Sequence, residues 1–128
     1  MSNDQQTKPG QQGTAAQRST ISWDDFQKVE LRLGTIIHAE PNTGAHKPAY
    51  IVDVDLGPLG IKRSSAQITA HYTPEQLLGR QVLCVCNFPA KRVAGVRSEI
   101  LVTGFHDAQG RVVLCSVDHP VPNGTPLL

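Results

Sequence analysis

The sequence predicts an all-β fold, a small five-stranded barrel with short helices. Three observations carry that expectation. Apolar residues recur at period two over short stretches, clusters of Gly, Pro, Asn and Asp separate the stretches, and no strand–helix–strand rhythm of a parallel sheet appears. With 128 residues the chain has room for one core and not for two.

The elements follow in chain order. Residues 1–20 are rich in Gln, Gly, Ser and Thr and bury too little apolar surface to offset chain entropy. They are expected to be disordered, ahead of a domain over residues 21–128. They also lack the apolar stretch of a secretory leader. Ser22-Trp23-Asp24-Asp25-Phe26 reads as a helix start. Ser22 caps it, the acids sit at its positive end, and Trp23 and Phe26 share a face that must dock on something. Val29, Leu31 and Leu33 then alternate with Glu30 and Arg32 as a half-buried strand, and Gly34 marks a bulge or tight bend before Thr35-Ile36-Ile37.

Residues 40–48 are loop, broken by Pro41, Asn42, Gly44 and Pro48. Tyr50, Val52, Val54 and Leu56 face inward along the second strand. The turn Gly57-Pro58-Leu59-Gly60 leads into the third, Ile61-Lys62-Arg63-Ser64-Ser65, as a hairpin. Thr73-Pro74-Glu75-Gln76 has the cap, the first-turn proline and the reciprocal Gln of a short helix. Residues 81–86 and 99–105 supply the fourth and fifth strands, residues 111–115 a further one, and Phe105 is assigned to the core. Strand–strand–strand–helix–strand–strand is the order of an OB-fold barrel. Residues 82–86 and 112–115 are apolar on both faces. Something must cover the outer one: the N-terminal helix can cover one strand, and a second copy of the chain, making a homodimer, the other.

Charge points to the partner. Residues 61–97 hold Lys62, Arg63, Arg80, Lys91, Arg92 and Arg97 against one acid, Glu75, whereas the flanking segments are each net acidic, so a formal net charge of +1 hides a basic middle. Cations gathered on strands and their loops suit a polyanion. The connection over residues 87–98 is too long for a tight hairpin; it brings Asn87, three cations, and Gly95 for close backbone approach. With Lys62, Arg63, Ser64 and Ser65 alongside, it forms a candidate nucleic-acid surface. Few aromatics remain for stacking (Tyr50, Tyr72, Phe88), which favours a folded RNA recognised by shape and backbone.

Catalysis is not signalled. There is no nucleophile elbow, Walker loop or GxGxxG turn, and Asp53 and Asp55 share a solvent-facing strand face. Cys84, Cys86 and Cys115 are odd in number, two of them at alternate positions of an apolar run, which argues against a disulfide framework, and they have no companion pair at zinc spacing. They read as core thiols of a cytoplasmic protein, with no metal or cofactor, and no run of about 18 apolar residues would insert in a membrane.

The segments DDFQKVELRLGTI, GIKRSSAQIT, NFPAKRVAGVRSEILV and HPVPNGT, spread from about Ser22 to the C-terminus, closely resemble the CsaA family of bacterial export-related chaperones. These belong to the tRNA-binding module also found in parts of methionyl- and phenylalanyl-tRNA synthetases. The resemblance implies a barrel that dimerises through its terminal additions, binds tRNA without catalysis, and holds unfolded preproteins for export, with the export machinery as a further partner. Carried over, the RNA surface comprises Lys62, Arg63, Ser64, Ser65, Asn87, Lys91, Arg92 and Arg97, with Gln67 supporting the loop, and Phe88 and Pro89 mark the peptide site. Where tRNA-binding relatives carry Pro-Arg-Lys and Ser-Gln, this chain has Ala90-Lys91-Arg92 and Ser98-Glu99. A carboxylate at Glu99 is expected to repel phosphate and to suit the chaperone branch. The other reading is a tRNA-binding accessory protein without a chaperone role.

Overall fold

The computed structural model describes residues 17–128. Most of the stretch expected to be disordered lies outside these residues; residues 17–20 are exposed and belong to no helix or strand. Five strands, β1 (Leu31–Pro41), β2 (Tyr50–Asp55), β3 (Ile61–Ala66), β4 (Gln81–Val85) and β7 (Leu101–Val102), form one antiparallel sheet in the order β3-β2-β1-β4-β7. The sheet curls into a nearly closed barrel. Two ribbons pair in ladders of their own: β5 (Lys91–Val93) with β6 (Val96–Ser98), and β8 (Gly104–His106) with β9 (Val112–Leu114).

β1 serves both halves of the barrel. Its first residues pair with β4, from Leu31↔Val85 to Thr35↔Gln81, and its later ones with β2, from Thr35↔Asp55 to Pro41↔Tyr50. The bend falls at Gly34, where a Cβ would lie 2.5 Å from Val54 Cγ1 and 2.7 Å from Leu56 Cδ2, so only glycine admits the core against this backbone. The register shift comes later, between Ile36 and His38, which turns Ile37 out to solvent. Opposite β4, the edge of β1 is taken by the C-terminal tail: Gly124 N–H donates to Leu33 O (2.7 Å), Leu33 N–H to Thr125 O (3.0 Å) and Leu127 N–H to Leu31 O (2.9 Å).

Alternation on β2 sends Tyr50, Val52 and Val54 inward, where with Ile36, Leu56, Leu77 and Val82 they form the core. Full burial of such a side chain contributes roughly 1.5–3 kcal/mol. Both short helices carry capping boxes. Ser22 Oγ accepts from Asp25 N–H and Asp25 answers to Ser22 N–H in α1 (Trp23–Gln27); Thr73 and Gln76 do the same in α2 (Pro74–Leu77). α2 inserts Leu77, fully buried, into the barrel.

One expectation is corrected. Phe105 is not in the core: it lies opposite Val113 on the β8–β9 ribbon and is 70% exposed, while Leu114 of the same ribbon joins the core. The α1 face, expected to dock on something, is left largely open among the described residues. Trp23 packs on Phe26 with ring centroids 5.6 Å apart but stays 62% exposed.

Candidate nucleic-acid interface

The long β4–β5–β6 connection contains its own hairpin. Val93 and Val96 close it around Ala94 (φ 50°) and Gly95 (φ 82°), the two positive-φ positions that let a two-residue turn match the twist of its strands. The register sets Arg92 directly opposite Arg97, and Lys91 opposite Ser98. Like charges facing each other across a ladder destabilise it. Among the described residues no acid forms an ion pair with Lys91, Arg92 or Arg97, and Arg92 Nη1 donates only to its own turn, at Gly95 O (2.8 Å). Three uncompensated cations therefore stand on one exposed ribbon.

The ribbon is fastened to β3. Glu99 N–H donates to Arg63 O (2.8 Å), Arg63 N–H donates to Glu99 Oε1 (3.0 Å), and the Ser98 and Ser64 hydroxyls lie 3.4 Å apart. One oxygen of the Glu99 carboxylate thus accepts from the β3 backbone.

Along β3 the side chains alternate. Arg63 pairs in register with Asp53 on the outer face and grips it bidentately (2.8 and 3.1 Å), and its hydrogen bond holds the Asp53 carboxyl below the ordinary range while raising Arg63. Lys62, paired in register with Val54, leaves by the opposite face and is half-buried. Ser64 is buried, 3% exposed. Ser65 accepts from Asn42 Nδ2 (3.1 Å), and Asn42 Nδ2 also donates to Ala94 O (3.2 Å) at the ribbon tip. Gln67 is exposed, on an open groove of about 640 Å³ that Lys47, Ser65, Thr103 and His106 also line.

Asn87 is committed to the fold. Its Oδ1 accepts from Glu30 N–H (2.9 Å) and its Nδ2 donates to Lys28 O (2.7 Å), tying the end of β4 to the exit of α1. Phe88, 57% exposed, and Pro89 follow it at the foot of the ribbon.

The ribbon meets β3 through the Arg63 backbone and the Ser64 hydroxyl, and Ser65 shares the Asn42 amide with the ribbon tip; Lys62 lies on the strand face of Ser64, the Arg63 guanidinium is held by Asp53, and the Asn87 amide is spent on Lys28 and Glu30. Sequence reasoning passed over Asn42, read as a loop breaker, and Asp53, read as a solvent-facing acid. Their partners lie 52 and 10 residues away, so neither has a local signature.

The arrangement suits an anionic backbone. Burial pushes the Cys84 thiol up to about 12 and raises Cys86, so neither thiol is a poised nucleophile. No group of three or more His, Cys, Asp or Glu that can hold a metal occurs among the described residues.

A family model described as "Putative tRNA binding domain" matches residues 31–126. The chain belongs to this family. Within it, the resemblance to CsaA chaperones is borne out by solved structures. The chaperone CsaA of Bacillus anthracis str. Ames is 46% identical, with 86% of this chain and all of that one covered and a TM-score of 0.81. The CsaA chaperone protein of Picrophilus torridus is 35% identical over 85% of this chain and all of that one, with a TM-score of 0.79. The methionine–tRNA ligase of Chlorobium chlorochromatii (strain CaD3) is 35% identical over 76% of this chain, which spans only 14% of that enzyme. The tRNA-binding-domain match covers all the strands of the barrel and the basic ribbon.

Proposed function

We propose that this protein is a CsaA-like homodimeric chaperone of the cytoplasm that holds unfolded preproteins for export and binds tRNA on its basic ribbon, without catalysis. One observation carries the RNA part: Arg92 faces Arg97 with no ion pair to an acid among the described residues, an arrangement that a phosphate backbone relieves. The polypeptide part is supported by Phe88 and Pro89, an exposed apolar pair beside the cations, and by the likeness to CsaA chaperones. The accessory reading, tRNA binding with no chaperone role, is favoured by the match to a segment of methionine–tRNA ligases.

Two variants test these readings. Lys91→Glu with Arg92→Glu removes two phosphate contacts and is expected to cut tRNA retention at low salt by roughly tenfold or more. Unchanged retention overturns the ribbon as the RNA surface. Phe88→Ala is expected to reduce suppression of aggregation of a denatured test protein while leaving tRNA retention intact. If the unaltered protein suppresses no aggregation, the accessory reading holds.

A further inference from the structure

Asn42 is a buried polar side chain, 9% exposed, in a loop where polar side chains normally face water. Both its amide hydrogens and its carbonyl oxygen are engaged, on three different segments. Its Oδ1 accepts from Gly44 N–H (3.1 Å), which shapes the β1–β2 loop. Its Nδ2 donates to Ser65 Oγ on β3 (3.1 Å) and to Ala94 O at the ribbon turn (3.2 Å). Its own backbone is anchored as well, through Ala49 O and Ala45 N–H.

The ribbon needs such an anchor. β5 and β6 pair only with each other, so they do not share the hydrogen-bond ladder of the barrel sheet. At the base, Glu99 and Ser98 hold them to β3. At the far end sits a strained residue, Ala94 with φ 50°, and the facing of Arg92 by Arg97 tends to splay the strands. The bond from Asn42 reaches the carbonyl of that strained residue. It closes the loop between the barrel and the tip.

We infer that Asn42 is a positioning residue for RNA binding: by tying the β1–β2 loop and β3 to the turn between β5 and β6, it holds Arg92 and Arg97 in the register at which both meet phosphate. The inference rests on the RNA reading above, and it adds that the ribbon's orientation is set by an uncharged residue with no RNA contact of its own. An ordered ribbon places two cations at once; a free one samples many orientations and presents them together only part of the time.

Two measurements test it. The first needs no RNA. In Asn42→Ser, whose short hydroxyl can still accept from Gly44 N–H but stops short of Ala94 O, backbone amide exchange over residues 93–97 is expected to rise at least tenfold, with core protection at Val52, Val54 and Val82 unchanged. Equal exchange in the ribbon overturns the inference. The second is a double-mutant cycle on tRNA affinity. Asn42→Ser alone is expected to weaken binding roughly tenfold and to flatten the salt dependence by about one phosphate contact or more. Added to Arg92→Gln with Arg97→Gln, it is expected to weaken binding less than twofold. The same loss in both backgrounds makes Asn42 a general stabiliser and overturns the inference. Failure of the unaltered protein to bind tRNA counts against the proposed function instead, and the exchange comparison still decides the role of Asn42 in the ribbon.

Discussion

At the scale of single residues, the polar side chains around the site divide between those that hold the fold and those left to meet a ligand. Asn87 belongs to the first group. Its two hydrogen bonds to Glu30 and Lys28 span nearly 60 residues of sequence and fix where the chain enters β1. Asn87→Ala is expected to lower stability by about 1 kcal/mol, read as a lower urea midpoint at constant slope, with tRNA retention per folded molecule unchanged. A selective loss of RNA binding with no loss of stability would return Asn87 to the RNA surface. The motif that drew attention to Asn87 is visible in the sequence, but the partners of its amide are not, because they are backbone groups brought up by the fold.

The Asp53–Arg63 pair follows the same logic and has a pH signature. Arg63 first by hydrogen bond, then by charge, lowers the Asp53 carboxyl, so the pair's contribution is present above the ordinary carboxylate value near ~4 and fades as pH falls through the lower folded value. Asp107, lowered chiefly by its hydrogen bond from His71 and then by the Arg111 N–H, moves in the same direction. Asp53→Asn should therefore cost a few tenths to about 1 kcal/mol at pH 7, given how exposed the pair is. The gap to the unaltered protein should shrink as pH approaches 3. A gap that stays constant with pH, in thermal melts across that range, removes the charge from the explanation.

At the scale of elements, the basic ribbon shows how a hairpin can fold well and still leave a charge conflict at its centre. Arg97→Glu replaces a repulsive cross-strand pair by an attractive one and is expected to stabilise the ribbon by about 0.2–1 kcal/mol. The same change should weaken tRNA binding, because a phosphate contact becomes a repulsion. Opposite signs in stability and affinity, measured by melting and filter retention, mark a residue placed for a ligand; a fall in both denies the ribbon that role. The connection of residues 87–98 announced itself in the sequence by length and charge. Its internal hairpin did not, because the turn places Ala94 where Asn or Asp usually stands, and Ala carries no turn signal. Phe105 was misassigned for a related reason. A two-residue alternation identifies a strand face, but only the pairing of Phe105 with exposed Val113, opposite the face that buries Leu114, decides that this face looks outward. The strands β1 to β4 and both caps were legible because each rests on local spacing alone.

At the scale of the whole molecule, an apolar surface is left without cover among the described residues. Trp23 (62% exposed), Val29, Leu127 and Leu128 line a shallow depression with Leu31 and Pro126, where α1 meets the C-terminal tail on β1. None of these side chains belongs to the barrel core. A second copy docking through this surface would bury all four and explain why a helix of five residues, too short to be stable alone, is retained at the rim. The unaltered protein is accordingly expected to sediment at twice the 13.9 kDa of one chain. Trp23 is the one tryptophan, so its fluorescence reports directly on this surface: dilution should shift it to the red as the dimer parts. Leu127→Asp should give a folded monomer, since the core of Val52, Val54 and Leu77 lies elsewhere, and the monomer should bind tRNA more weakly than the dimer. Two ribbons on one particle engage one RNA with a raised effective concentration, so the loss should exceed tenfold although no ribbon residue has changed. A mass of one chain for the unaltered protein, or a Trp23 spectrum that ignores concentration, would leave each ribbon to bind alone and remove avidity from the account of RNA binding.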